Sequence, residues 1–146
     1  MNYLLDTNVV SEWVKVRPEP RVVRWLAEVD EDRVFISVIT IGEIRHGVDR
    51  LSVGQRRRRL EDWLGQDLPV RFEGRVLRID IDVAQAWGRI VARRERKGKP
   101  IGSVDALIAA TAAVFDLTIV SRDTFGFDDT GNRVYDPWSD ESLSGV

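Results

Sequence analysis

The chain of 146 residues contains no cysteine, one histidine and one methionine, and its 5 prolines and 11 glycines are scattered singly. Without cysteine there is no disulfide framework, zinc finger or thiol nucleophile, and no sign of an oxidising compartment. With His46 alone, two-histidine RNA cleavage and histidine-rich zinc sites are excluded, and a Ser-His-Asp triad would hang on one residue. No apolar run reaches the roughly 18 residues that mark a membrane span. The start, Met1-Asn2-Tyr3-Leu4-Leu5, lacks the basic region and cleavage site of a signal peptide, so a cytoplasmic location is expected. Repeats and low-complexity tracts are missing as well, which predicts one domain over 1–146, with a core over 1–138 and a polar tail over 139–146. A chain of this length buries roughly 68–70% of its unfolded surface and needs no covalent staple. Any chemistry falls mainly to carboxylates.

Charge is balanced: 22 basic against 24 acidic side chains, a formal net charge of −2. That is too near zero for whole-molecule attraction to nucleic acid, so such contacts would have to come from local clusters. Two exist, Arg56-Arg57-Arg58-Arg59 and the run Arg93 to Lys99. Each reads equally as a solvated face or as a phosphate contact, and the second also suits the cation-favouring C-terminal end of a helix stopped at Gly98.

Apolar Tyr3 to Leu5 predicts a strand, and Val9 to Val14 a short helix after the acidic turn at Asp6. Pro20 opens a helix with Val22, Trp25 and Leu26 on its buried side. Val34 to Val38 is β-branched and aromatic and predicts the next strand, leading into a helix over Thr40 to Val48. Further along come a charged helix over Gln55 to Leu64, a strand over Val76 to Ile81, helices over Val83 to Arg96 and Val104 to Phe115, a strand over Leu117 to Val120, and a short strand near Val134-Tyr135. Strands alternating with helices predict βαβ units and an α/β fold with a mainly parallel sheet covered on both faces.

In such a sheet, ligand sites gather beyond the carboxyl ends of the strands, where strand order reverses. Asp6 follows the first strand directly, and Asp123 follows the strand ending at Val120. Glu43 lies early in the helix returning from the second strand, and Asp105 in the first turn of the helix that feeds the last firm one. Each has a structural explanation. Thr40-x-x-Glu43 fits a capping box, Ser103 suits a cap beside Asp105, and Asp6 and Asp123 suit Asx-turns. Together, however, converging carboxylates repel unless a cation lies among them. Oxygen donors without His or Cys match Mg²⁺ or Mn²⁺, ions that serve phosphodiester hydrolysis. Nuclease or phosphatase chemistry is the reading from the residues.

The motifs Leu4-Leu5-Asp6-Thr7-Asn8-Val9, Ser37 to Gly47 around Glu43, Asp105-Ala106-Leu107-Ile108-Ala109-Ala110 and Ser121-Arg122-Asp123, followed by Phe127, Thr130-Gly131 and Pro137-Trp138, stand in the order found in PIN-domain ribonucleases. The chain resembles that family, and within it the VapC toxins of toxin–antitoxin pairs, particularly the FitB-like group. The resemblance implies a three-layer α/β/α sandwich (PIN domain) in which Asp6, Glu43, Asp105 and Asp123 bind Mg²⁺ or Mn²⁺. It implies support from Thr7, Asn8 and Ser121, with Asn8 orienting Asp6 or a water. Metal-activated water would cut RNA, leaving a 3′-hydroxyl and a 5′-phosphate. The implied partners are a VapB-like antitoxin, an RNA substrate and a second copy of the chain, with DNA reached only through the antitoxin. Trp13, Trp25, Val29 and the helix Gln55 to Leu64 are candidates for an antitoxin groove or dimer face, although a Trp at helical spacing is more often core. Many VapC relatives carry Asn where Asp123 stands, with an acid at the position of Gly126, which leaves Asp123 as the fourth acid here. His46, one helix turn from Glu43, receives no role. The alternative is a PIN-like module that binds RNA or a partner without cutting. A dehalogenase-type phosphatase would need an acid where Asn8 stands.

Overall fold

A computed structural model describes residues 1–139; the greater part of the expected polar tail, from residue 140 on, lies outside the described residues. Five strands, β1 (Tyr3–Leu5), β2 (Val34–Ser37), β3 (Val76–Leu77), β4 (Thr118–Val120) and β5 (Val134–Tyr135), form one sheet in the order β3-β2-β1-β4-β5. Every neighbouring pair is parallel. The central strands are apolar on both sides because both faces are covered. Leu5, Ile36 and Val120 enter one core, while their neighbours Leu4, Phe35 and Ile119 enter the other.

The first core is closed by α1 (Thr7–Val10), α2 (Pro20–Glu28), α3 (Val38–Asp49) and the segment α4 (Gln55–Asp62) to α5 (Leu68–Arg71). The second is closed by α6 (Ile81–Arg96) and α7 (Ser103–Phe115), a hairpin whose buried Ala109, Ala110 and Ala112 admit close helix packing. This is the expected α/β/α sandwich. Gly98, at φ +70°, terminates α6 in the left-handed region that glycine enters without strain. Among the described residues no helix is long and apolar enough to cross a membrane.

Several boundaries differ from expectation, mostly where capping chemistry outweighs residue pattern. The strand expected over Val76 to Ile81 ends at Leu77, because Asp80 accepts the Val83 N–H at 2.9 Å and starts α6 at Ile81. Helix α3 begins at Val38, not Thr40: Ser37 Oγ accepts the Ile39 N–H at 3.1 Å. Thr40 is therefore buried inside the helix, not its cap. Helix α7 is entered from Gly102, with no side-chain cap from Ser103. The Gln55 to Leu64 helix continues past α4 through a wide π-type turn, Trp63–Asp67, into α5. Trp25 is a core residue, edge-on to Tyr3 with ring centroids 5.2 Å apart, and not part of an open groove.

Candidate active site

From β1 the sheet grows to one side through β2, while β4 joins on the other. A crevice therefore opens beyond the carboxyl ends of β1 and β4. Asp6 leaves β1 with its backbone N–H still bonded to the Val120 carbonyl at 2.9 Å, so its position is set by the sheet itself. The side chain is buried and held at both oxygens. Oδ1 accepts the Thr7 N–H at 2.8 Å as the cap of α1, and Oδ2 accepts the Ser121 hydroxyl at 2.7 Å.

The Thr7 hydroxyl donates to Glu43 Oε1 at 2.5 Å and lies 3.3 Å from the Thr40 hydroxyl, tying the start of α1 to the second turn of α3. Ser121 also accepts the Asp123 N–H at 3.0 Å, and Asp123 Oδ1 accepts the Gly126 N–H at 2.9 Å. Asn8 reaches Asp6 only through Ser121. Its amide donates to Ser121 Oγ at 3.3 Å and its carbonyl accepts the Arg122 N–H at 3.4 Å, so it orients Ser121 and the β4 loop and not Asp6 directly.

Asp105, in the first turn of α7, has no hydrogen-bond or ion-pair partner among the described residues. Burial first, and then the charges of Asp6, Asp123 and Glu43, push its carboxyl up to about 6, with Arg94 pulling the other way. Asp6 is raised too, chiefly by burial, with Glu43 and Asp123 adding to the rise and the Ser121 and Thr7 bonds opposing it. The four predicted acids thus come from four separate parts of the chain to within range of one another's charge, with Asp105 facing the other three.

As the side chains stand, no three acidic or imidazole groups among the described residues are drawn together tightly enough to enclose an ion. The donor set nevertheless fits a hard divalent cation: it is all oxygen, Arg94 is the only opposing charge on Asp105, no Lys or Arg among the described residues forms an ion pair with any of the four acids, and the Asp105 carboxyl accepts no hydrogen bond. A tight cradle lies beside it. A Cβ placed on Gly126 would come within 2.4 Å of Asp123 Oδ2 and 3.2 Å of Asp105 Oδ2. Asp at 123 therefore goes with Gly at 126, since an acidic side chain at 126 has no room while Asp123 holds this position.

The basic runs resolve residue by residue. Arg57 bonds Glu61 at 2.7 Å and the Leu51 carbonyl at 3.2 Å, while Arg56, Arg58 and Arg59 are exposed. In the second run Lys97 and Lys99 pair with Asp129, and Arg93 donates to the Thr130 carbonyl at 2.7 Å. Arg94 is buried, neither solvated nor open to phosphate. His46 is exposed, and its imidazole takes part in no hydrogen bond or ion pair among the described residues. Away from the acids, a groove of about 660 Å³ runs between Trp13, Trp63 and Val70, with the Arg71 guanidinium 4.2 Å from the Trp13 ring centroid. Thr40, Gly126 and Arg94 are site neighbours that sequence reasoning missed. Thr40 was hidden by its capping-box spacing, Arg94 by its charged neighbours, and Gly126 was visible only as the absence of an acid.

The PIN domain family model matches residues 3–132. The chain is 39% identical to toxin FitB of Neisseria gonorrhoeae over 94% of this chain and 99% of that protein. It is 33% identical to VapC ribonuclease Y4jK of Sinorhizobium fredii over 92% and 96% respectively. Among solved structures, that of FitAB bound to an IR36 DNA fragment superposes with a TM-score of 0.90 at 37% identity, covering 95% of this chain and 97% of that one.

Proposed function

The chain belongs to the PIN-domain family, and on that premise we propose that it is a Mg²⁺- or Mn²⁺-dependent endoribonuclease, the toxin of a toxin–antitoxin pair. The observation that carries the proposal is that Asp6, Asp105 and Asp123 carry their charges to one crevice beyond β1 and β4, with Glu43 tied to it through Thr7, and that burial and mutual repulsion raise the carboxyls of Asp6 and Asp105. The ribonuclease and toxin names of relatives at 33% and 39% identity agree with it.

Asp6, Glu43, Asp105 and Asp123 would hold the ion, which when bound supplies Lewis acidity toward a phosphoryl oxygen and toward water. The chain's own residues do the placing. Ser121 and the Thr7 N–H hold both oxygens of Asp6 in one orientation, and the Thr7 hydroxyl fixes Glu43. Asn8 holds Ser121 and the loop that carries Asp123. Asp105, whose carboxyl accepts no hydrogen bond and is raised to about 6 by burial and the neighbouring acids, is the ligand whose repulsion a bound cation would relieve most. Hydrolysis adds water at phosphorus and breaks the bond to the 3′ oxygen, which leaves as a hydroxyl while the phosphate stays on the 5′ side.

The partners proposed are a VapB-like antitoxin, a second copy of the chain and single-stranded or looped RNA, in the cytoplasm, with DNA contact made by the antitoxin. A single domain over 1–146 is taken to carry all of this. The Trp13–Trp63 groove is the proposed antitoxin seat, being lined by Trp13, Val14, Trp63 and Val70 together with the charged Glu31, Asp67 and Arg71. The test is cleavage of a mixed RNA pool by antitoxin-free protein with Mg²⁺, Mn²⁺ or EDTA, beside Asp6→Asn. Metal-dependent cutting that disappears in the variant is expected. A folded, metal-loaded protein that leaves RNA intact would favour the binding-only alternative.

A further inference from the structure

Arg94 sits in the last turn of α6 with 7% of its surface exposed, and among the described residues it has no carboxylate within ion-pair distance. A buried charge is tolerated only when its hydrogen-bonding capacity is met. Here three backbone carbonyls meet it. Arg94 Nε donates to the Lys99 carbonyl at 2.6 Å, and one terminal nitrogen donates to the carbonyls of Gly126 at 3.1 Å and Asp128 at 2.7 Å. The guanidinium fork thus pins the turn after α6 to the loop after β4. A lysine, with one compact head, cannot span those directions at once.

The pinned loop is the one that sets Asp123. The peptide N–H of Gly126 donates to Asp123 Oδ1 at 2.9 Å, and the missing Gly126 side chain leaves the space that Asp123 Oδ2 occupies, with Asp105 Oδ2 next to it. A continuous series of bonds therefore runs from a buried cation through one glycine to an acid of the candidate site. We propose that Arg94 is a positioning residue of this site: by holding the carbonyls of Gly126 and Asp128, it sets where the Gly126 N–H places the Asp123 carboxylate. The inference rests on the metal-site reading above and extends it to a residue that touches neither substrate nor ion.

Two variants attack the link from opposite ends. Arg94→Met removes the donors while keeping the aliphatic stem, and Gly126→Ala puts a methyl group within 2.4 Å of Asp123 Oδ2, so that the carboxylate must move. Mn²⁺ affinity is measured by calorimetry for the wild type, each variant, Asp123→Asn and the pairwise combinations with Asp123→Asn. RNA cleavage is followed in the same preparations, with melting temperature as the check on folding. Loss of an outer partner of a ligand costs roughly 10–100-fold in metal affinity or activity, and each of the two variants is expected to fall in that range. In the Asp123→Asn background neither should weaken Mn²⁺ binding much further, because coupled residues are non-additive. Arg94→Lys should recover only part of the loss.

Wild-type affinity in a folded Arg94→Met, or the same loss with and without Asp123, would overturn the proposal while leaving the nuclease reading intact. If Arg94→Met does not fold, Arg94→Lys decides by the same criterion, since one ammonium head cannot replace the bonds to the Lys99, Gly126 and Asp128 carbonyls together. A wild type that binds Mn²⁺ with this coupling and cuts no RNA would overturn the nuclease reading and uphold the positioning role. A wild type that binds no Mn²⁺ would overturn both.

Discussion

Asp6 and Asp105 are the same residue type in the same site, yet their surroundings are opposite. Asp6 stands at the end of a central strand with a donor on each oxygen, a hydroxyl from the β4 side and a peptide N–H from its own turn. Asp105 enters from a helix on the other face of the sheet with no donor and three acids around it. The strand edge supplies backbone and hydroxyl donors because the chain turns sharply there. The first turn of a helix lends only its weak dipole. A site of converging carboxylates can thus divide its labour, with acids at the β1–β4 edge held in place and one acid at α7 left to carry the repulsion.

The largest expected effect tests whether both halves are needed. Asp6→Asn and Asp105→Asn should each reduce RNA cleavage by more than the roughly 100-fold that loss of an outer partner costs, with the fold intact by circular dichroism. Cleavage kept by Asp105→Asn and lost only in Asp6→Asn would break the comparison. Next comes metal linkage. Mn²⁺ at about a hundred times its dissociation constant should stabilise the wild type by about 2.7 kcal/mol, read as a rise in melting temperature that disappears in Asp105→Asn. Ser121→Ala sharpens the other half. It leaves Asp6 Oδ2 buried without its donor, so it should cost about 1–3 kcal/mol in denaturant unfolding and lower cleavage ten- to a hundredfold.

The smallest effect is the dependence of stability on pH in metal-free protein. The Asp105 carboxyl is raised from the 3.8 of the unfolded chain to about 6, so between those values the folded state binds the extra proton. Stability from this group is complete below pH 4 and is lost as pH rises through 6. Because half of the group faces solvent, the loss is on the order of 1 kcal/mol after screening. Asp6, raised as well, adds in the same direction. Urea unfolding at pH 4.5 and pH 7.5 should show a smaller drop for Asp105→Asn than for the wild type; equal drops would mean that Asp105 bears no special repulsion.

Much of this was legible without coordinates because the informative features are local. The apolar runs at Tyr3 to Leu5, Val34 to Ser37 and Thr118 to Val120 are short, rich in large aliphatic and β-branched residues and followed by acids, and a parallel sheet obliges those acids to meet at one edge. What escaped were features decided by which of several nearby residues caps a helix, or by partners distant in sequence. Thr40 has the spacing of a cap, but Ser37 takes that role and sends Thr40 inward toward Thr7. Val76 to Ile81 reads as a strand until Asp80 caps the next helix. Arg94 lies among Arg93, Arg96, Lys97 and Lys99, and only the fold separates the one buried guanidinium from its exposed or surface-paired neighbours.

The central claim is that the four acids form one metal-holding nuclease site, and the most direct test follows Mn²⁺ binding and RNA cleavage in a single preparation stripped of metal and antitoxin. The account predicts that binding and cutting rise together over the same Mn²⁺ range and that both are lost in Asp105→Asn. Cutting that persists in EDTA, or Mn²⁺ binding unchanged in Asp105→Asn, would contradict it.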